Sequence, residues 1–104
     1  IPMNKLIKDG KVAVLVSYGY GAGWYSWTNI LDCLFDPEIA QLVLNGTNTK
    51  VIEQCAQTKW PDEYWGGASG LTVHWIPEGT QFRIDEYDGA ESIEYNQDVH
   101  WIIA

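Results

Sequence analysis

The fold class follows from one stretch, "LTVHWIPEGTQFRIDEYDGAESIEY", residues 71–95. Apolar and polar residues alternate along it, and a period of two is typical of β-strands. Pro77 to Thr80 has the composition of a turn, and Asp88-Gly89 is a strong hairpin signal. We therefore expect antiparallel strands that are joined at these two turns, over residues 71–76, 81–87 and 91–95.

Other segments add strands to this set. The continuous apolar run Val12 to Val16 is typical of a strand in the middle of a sheet. A final short strand is expected over Val99 to Ile103, after a turn at residues 96–98.

Helical signals lie between these strands. Asp36-Pro37-Glu38 combines a capping residue, a proline suited to the first helical position and an acid at the positive end of the helix dipole. A second helix is expected over about 50–59, with either Asn48 or Thr49 as its cap. Apolar residues at positions 27, 30, 31, 34 and 35, spaced by three and four, predict a further helical stripe within residues 24–35. The sequence thus predicts an α+β domain, mostly antiparallel sheet with two or three helices on one face.

Length and charge limit the functions open to the chain. Its 104 residues predict one domain over residues 3–104, with Ile1-Pro2 as the remnant of an expression tag before Met3. Six Lys plus Arg stand against fourteen Asp plus Glu, a formal net charge of −8. Such a surface repels nucleic acid, because nucleic-acid binding rests on cations that neutralise phosphates. It suits solubility, or docking on a basic patch of another protein.

Membrane and secretion signals are missing from the sequence. No stretch approaches the roughly 20 apolar residues of a membrane span, and residues 3–8 do not lead into the long apolar region of a signal peptide. We therefore expect a cytoplasmic protein that does not bind membranes. Its two cysteines, Cys33 and Cys55, should then be free thiols.

The segment "SYGYGAGW", residues 17–24, directly follows the buried strand and could bind a ligand. Its glycine spacing differs from the dinucleotide fingerprint, and it lacks the lysine of a P-loop. Closely spaced glycines can still turn several backbone N–H groups toward one anion, while neighbouring rings stack on a flat group. The alternative is a tight strand-to-helix turn whose aromatic residues pack inward.

A second segment, "YWGGASG", residues 64–70, repeats the combination of aromatic and small residues. The two loops could form opposite walls of one cleft, or two protomers of a homo-oligomer could each supply one. The alternative is a plain loop whose aromatic residues cap the sheet. The candidate ligand-binding residues are Tyr18, Gly19, Tyr20, Gly21, Gly23, Trp24, Trp65, Gly66 and Gly67.

Catalytic and metal-binding patterns are weak. His74 and His100 are the two histidines, each beside a tryptophan in a predicted strand, and no cysteine spacing accompanies them. The carboxylates of the last hairpin are expected on its solvated face: Asp85, Glu86, Asp88, Glu91 and Glu94. We expect no catalytic residue, no metal and no cofactor.

Several motifs together resemble a family of small proteins carried by phages and prophages. They are "KVAVLVSYGYGAGW" (11–24), "LFDPEI" (34–39), "YWGGASGL" (64–71), "WIPEGTQFRIDEYDG" (75–89) and "ESIEY" (91–95). The resemblance covers nearly the whole chain. It implies a stoichiometric counter-defence role in the host cytoplasm, either by blocking a protein or by sequestering a signalling nucleotide, and it carries over no catalytic residue.

Two non-enzymatic functions therefore compete. The first is a ligand-binding module, such as a nucleotide sponge, that uses the glycine and aromatic loops. The second is an acidic inhibitor that binds a basic site on a host defence protein. The paired loops favour the first hypothesis, which is our prediction from the sequence, while the acidic charge favours the second.

Overall fold

The structure is a computed structural model that describes residues 4–95, and this range holds five strands and four α-helices. In chain order they are β1 (Ile7–Lys8), β2 (Lys11–Ser17), α1 (Tyr25–Thr28), α2 (Leu31–Phe35), α3 (Pro37–Leu44), α4 (Thr49–Lys59), a 3-10 helix (Gly66–Gly70), β3 (Leu71–Pro77), β4 (Phe82–Tyr87) and β5 (Ala90–Tyr95). All described strand pairs are antiparallel and the four α-helices follow one another between β2 and β3, so the α+β prediction is confirmed. The predicted strand Val99 to Ile103 lies outside the described residues.

The first sheet has the strand order β1-β2-β3, with both pairs antiparallel. β2 and β3 pair along their full length, from Lys11 opposite Pro77 to Ser17 opposite Leu71. Every β2 residue after Lys11 is buried, because both faces of this strand are covered. Coverage on both faces explains why β2 is a continuous apolar run rather than an alternating one.

Helices and a hairpin cover the two faces of this sheet. On one face, Ala13 and Leu15 pack with residues of α3 and α4, including Ile39 and Ile52. On the other face, the valines of β2 pack with Leu34 and Phe35 of α2 and with apolar side chains of the β4–β5 hairpin, whose strands form a separate two-stranded sheet among the described residues. The core therefore has three layers, with β2 in the middle.

The prediction that the strands on either side of the Pro77 to Thr80 turn belong to one sheet is wrong. We expected residues 71–95 to form one antiparallel set, but Pro77 to Thr80 joins two different sheets. β4 leaves the plane of the first sheet because its apolar side chains, Phe82 and Ile84, cover the second face of β2. The hairpin at Asp88-Gly89 forms as predicted, between β4 and β5.

The helix starts follow their capping residues. The Asp36 carboxylate accepts a hydrogen bond from the Ile39 N–H at 2.9 Å, at the start of α3. Asn48, rather than Thr49, caps α4, since its side chain accepts a hydrogen bond from the Lys50 N–H at 2.8 Å.

The helical stripe predicted within residues 24–35 forms two short helices, α1 and α2, which are separated where Asn29 takes a left-handed φ of 58°. None of the described helices has the length and apolar character needed to cross a membrane.

Candidate functional site

Three glycine-containing segments meet at the end of β2, and we call this region the glycine corner. The Tyr18 N–H donates to the Gly70 carbonyl at 3.1 Å, and the Gly21 N–H donates to the Asp88 carbonyl at 2.8 Å. These bonds tie the loop after β2 to the 3-10 helix and to the hairpin turn. The glycine corner consists of residues 17–24, Gly66–Gly70 and Asp88-Gly89.

The glycines of this corner allow direct backbone packing. A Cβ added to Gly67 would overlap the carbonyl oxygen of Gly23, and one added to Gly89 would overlap the backbone nitrogen of Ala22. Both added atoms would meet backbone, which has little freedom to move aside. The two glycine loops thus meet within one chain, which was one of the two expected arrangements, but their backbones touch where that arrangement had a cleft.

A buried carboxylate lies at the centre of the corner. Glu91 is only 2% exposed. Its Oε1 accepts a hydrogen bond from the Ser17 N–H at 2.9 Å. Its Oε2 accepts from the Trp24 N–H at 2.7 Å, the Ser26 N–H at 2.9 Å and the Ser26 hydroxyl at 2.6 Å. Backbone amides of Ser17, Trp24 and Ser26 therefore converge on a carboxylate of the chain itself, and none of these hydrogen bonds comes from the glycine N–H groups that we expected to face an anion.

The predicted position of Glu91 on a solvated face is wrong. Side chains two apart on a strand point the same way, so Glu91 shares its direction with Ile93, which packs against the core. The alternation of side-chain directions along β5 could therefore have predicted, from the sequence, that Glu91 is buried. The other four carboxylates of the hairpin are exposed or half-buried: Asp85, Glu86, Asp88 and Glu94.

Trp24, predicted to stack on a ligand, and Trp65, predicted to close the cleft over it, are both in the core. Trp24 is 0% exposed and Trp65 is 1% exposed, and their ring centroids are 4.7 Å apart. The indole N–H of Trp24 donates to the Cys33 carbonyl, and that of Trp65 donates to the Trp60 carbonyl, each at 2.9 Å. Both rings are buried and both indole N–H groups are hydrogen-bonded within the chain, so the predicted roles of Trp24 in stacking on a ligand and of Trp65 in closing a cleft are wrong.

Of the other residues predicted to bind a ligand, the two tyrosines are exposed and most of the glycines lie close to neighbouring segments. Tyr18 and Tyr20 are exposed, and the Tyr18 hydroxyl lies 3.3 Å from His74 Nδ1. A ligand-binding role for these two tyrosines stays a prediction. A Cβ added to Gly19, Gly23 or Gly66 would lie close to Gly70, Ser26 or Tyr64, respectively, whereas one added to Gly21 would meet nothing within 4 Å.

A pair of rings on the outer side of the corner was missed by the sequence reasoning, and we call it the outer aromatic pair. Trp27 is 45% exposed and Tyr64 is 65% exposed, with ring centroids 6.2 Å apart. The Trp27 indole N–H donates to Glu86 Oε2 at 3.2 Å, and the Gly89 N–H donates to the same oxygen at 2.7 Å. A carboxylate is therefore held beside two accessible aromatic rings.

Neither cysteine is poised for nucleophilic chemistry. Both are free thiols. Burial raises the pKa of Cys33 to about 12, and burial also raises the pKa of Cys55. The thiolate is the reactive form, so a raised pKa makes both thiols poor nucleophiles at neutral pH.

Comparisons of the chain with protein-family models, with curated proteins and with solved structures found no match. The resemblance to small phage and prophage proteins therefore stays a prediction that rests on sequence motifs.

Proposed function

We propose that this protein is a non-catalytic binding domain whose outer aromatic pair receives a basic side chain of a partner protein. One observation carries the proposal. Trp27 and Tyr64 expose about half of their surface or more while lying side by side, and Glu86 is hydrogen-bonded to the Trp27 indole.

This arrangement has the chemistry that recognises a cation. A lysine or arginine over an aromatic face is attracted by the ring quadrupole, and tryptophan is the strongest partner. A carboxylate beside the rings adds a charge-assisted hydrogen bond. Exposed tryptophan and tyrosine are also the residues that most often dominate protein–protein binding energy.

The overall charge supports the same kind of partner. A net charge of −8 attracts basic surfaces over the range of the Debye length, which is about 8 Å at physiological ionic strength. Together with the resemblance to phage proteins, this favours the inhibitor hypothesis, in which the domain occupies a basic site on a host defence protein. We prefer it to ligand sequestration because the rings of Trp24 and Trp65 are buried.

The proposal is tested with a labelled peptide of alternating arginine and glycine, titrated by fluorescence anisotropy. We expect saturable binding that weakens as salt rises, and Trp27→Ala should weaken it about tenfold, since a cation–π contact contributes roughly 1–2 kcal/mol. Circular dichroism checks that the variant stays folded. Equal binding by a glutamate–glycine peptide, or an unchanged affinity in folded Trp27→Ala, would contradict the proposal.

A matched pair of variants tests whether the negative charge of Glu86, rather than the shape of its side chain, contributes to peptide binding. Glu86→Gln keeps an oxygen that can accept the two hydrogen bonds but removes the negative charge, so it should weaken peptide binding severalfold and flatten the salt dependence. Glu94→Gln, on the same hairpin and paired with Arg83, should leave the affinity nearly unchanged. Glu91 is left intact, because its carboxylate is buried and its replacement would disturb the fold.

A further inference from the structure

A groove of about 500 Å³ lies at the opposite end of β2, between the turn that joins β1 to β2 and the outer side of α3. Its position is independent of the glycine corner and of the outer aromatic pair. The segment before β1, the turn, β3 and the end of α3 all contribute to its lining, which includes Leu6, Lys8, Lys11, Leu44 and Trp75. A volume of this size falls in the range of small-molecule sites.

The groove combines an apolar wall with an aromatic one. Trp75 is half-buried and packs at the edge of the core, with the small residue Ala13 opposite it on β2. Leu44, at the end of α3, is exposed. These side chains present apolar surface that a flat ring would cover on binding.

Two lysines concentrate positive charge at the rim. Lys8 and Lys11 are cross-strand partners on either side of the turn, and both are exposed. Among residues 4–95, no carboxylate lies within ion-pair distance of either ammonium group. Asp9, in the turn itself, also lines the groove and offsets part of their charge. In a chain with only six Lys plus Arg, a rim with two lysines is a local exception to the acidic surface.

We propose that this groove binds a small aromatic anion, a compound in which one or two fused rings carry a carboxylate, sulfonate or phosphate group. The ring lies against Trp75 and Leu44, and the anionic group lies between Lys8 and Lys11. The volume admits a ligand of this size.

The test uses naphthalene-2-carboxylate as the probe and its uncharged carboxamide as the matched control, each titrated into isotope-labelled protein by NMR. We expect saturable shifts at the amides of residues 8–11 and at the Trp75 indole N–H with the carboxylate. The carboxamide should bind at least about tenfold more weakly, because it lacks the charge that the two lysines recognise.

Two sets of variants locate the site. Lys8→Gln combined with Lys11→Gln should weaken binding of the carboxylate about tenfold, and both positions are exposed, so the fold should persist. Lys50→Gln, an exposed lysine on α4, should leave binding unchanged. The proposal is overturned by equal affinity for carboxylate and carboxamide, by unchanged binding in the double variant, by the absence of saturable shifts at millimolar probe, or by shifts that map beside Phe35 and Phe82 instead.

Discussion

Two glycines in turns separate the effect of backbone conformation from the effect of packing. Gly79 and Gly89 both have a φ of +85°, a left-handed conformation that side chains rarely adopt. A Cβ on Gly79 would meet nothing within 4 Å, whereas one on Gly89 would overlap the backbone of Ala22. The two positions therefore share one conformational cost, and only Gly89 adds a steric one.

Alanine at each position should give different losses of stability. Gly79→Ala should lower the free energy of unfolding by about 1–2 kcal/mol, the cost of left-handed backbone. Gly89→Ala should lower it by a further 1–3 kcal/mol or so, because the hairpin turn must move away from the loop. Urea denaturation measures both losses. Equal losses would contradict the close packing of the glycine corner.

The two cysteines should differ in their reaction with iodoacetamide. Cys33 is fully buried with its pKa raised to about 12, while Cys55 is partly exposed. We expect native protein at mildly alkaline pH to be alkylated slowly at Cys55 and to be protected at Cys33, as read by peptide mass spectrometry. Urea-unfolded protein, in which both sites react, is the control. Alkylation of native Cys33 as fast as that of Cys55 would refute this.

At the scale of elements, one lysine joins two helices. Lys59, at the end of α4, lies 3.0 Å from the Asp36 carboxylate and 2.8 Å from the Glu38 carboxylate, both at the start of α3. The hydrogen bond from Lys59 lowers the pKa of Glu38, and its positive charge lowers it further. Burial by itself lowers the pKa of Lys59, but the hydrogen bonds to Glu38 and Asp36, together with the negative charges of these carboxylates, outweigh burial and raise it.

These shifts predict how stability depends on pH. Because the pKa of Glu38 is lower in the folded state, its contribution is present above the unfolded pKa of about 4.3 and is lost as pH falls through the folded value. Glu38→Gln should therefore lower the urea midpoint at neutral pH and change it little in acid. Glu53→Gln, an exposed carboxylate on α4, should change neither midpoint. An equal effect of Glu38→Gln at both pH values would show that the ion pair does not contribute.

Helices and turns that depend on neighbouring residues could be predicted from the sequence, but the way these elements pack together could not. The start of α3 and the Asp88-Gly89 hairpin depend on residues that are neighbours in sequence, so both predictions are confirmed. The stripe within 24–35 placed Trp27 among inward-facing residues, but the helix break at Asn29 rotates α1 relative to α2 and leaves Trp27 half-exposed. That rotation depends on one backbone angle that hydrophobic periodicity does not encode.

At the scale of the whole molecule, Glu91 connects segments that are far apart in the chain. Its carboxylate joins β5 to the end of β2 through Ser17, to the glycine loop through Trp24 and to α1 through Ser26. Burial of this carboxylate depends on which sheet face the hairpin covers, a property of the assembled fold. A loop held by a hydrogen bond to the chain's own carboxylate forms a structural corner, and the exposed tyrosines of the loop and the outer aromatic pair remain accessible.

The most direct measurement is the free energy of unfolding of Glu91→Gln against Glu94→Gln, by urea denaturation at neutral pH. With either orientation of the substituted side-chain amide, at least one of the four donors around Glu91 faces an NH₂ group, and the remaining bonds lose their ionic character. We predict a loss of about 2–4 kcal/mol for Glu91→Gln. Glu94→Gln removes only an exposed ion pair with Arg83, so its loss should stay below about 1 kcal/mol. Equal, small losses for the two variants would contradict a corner closed on Glu91 and would reopen the glycine loop as a ligand site.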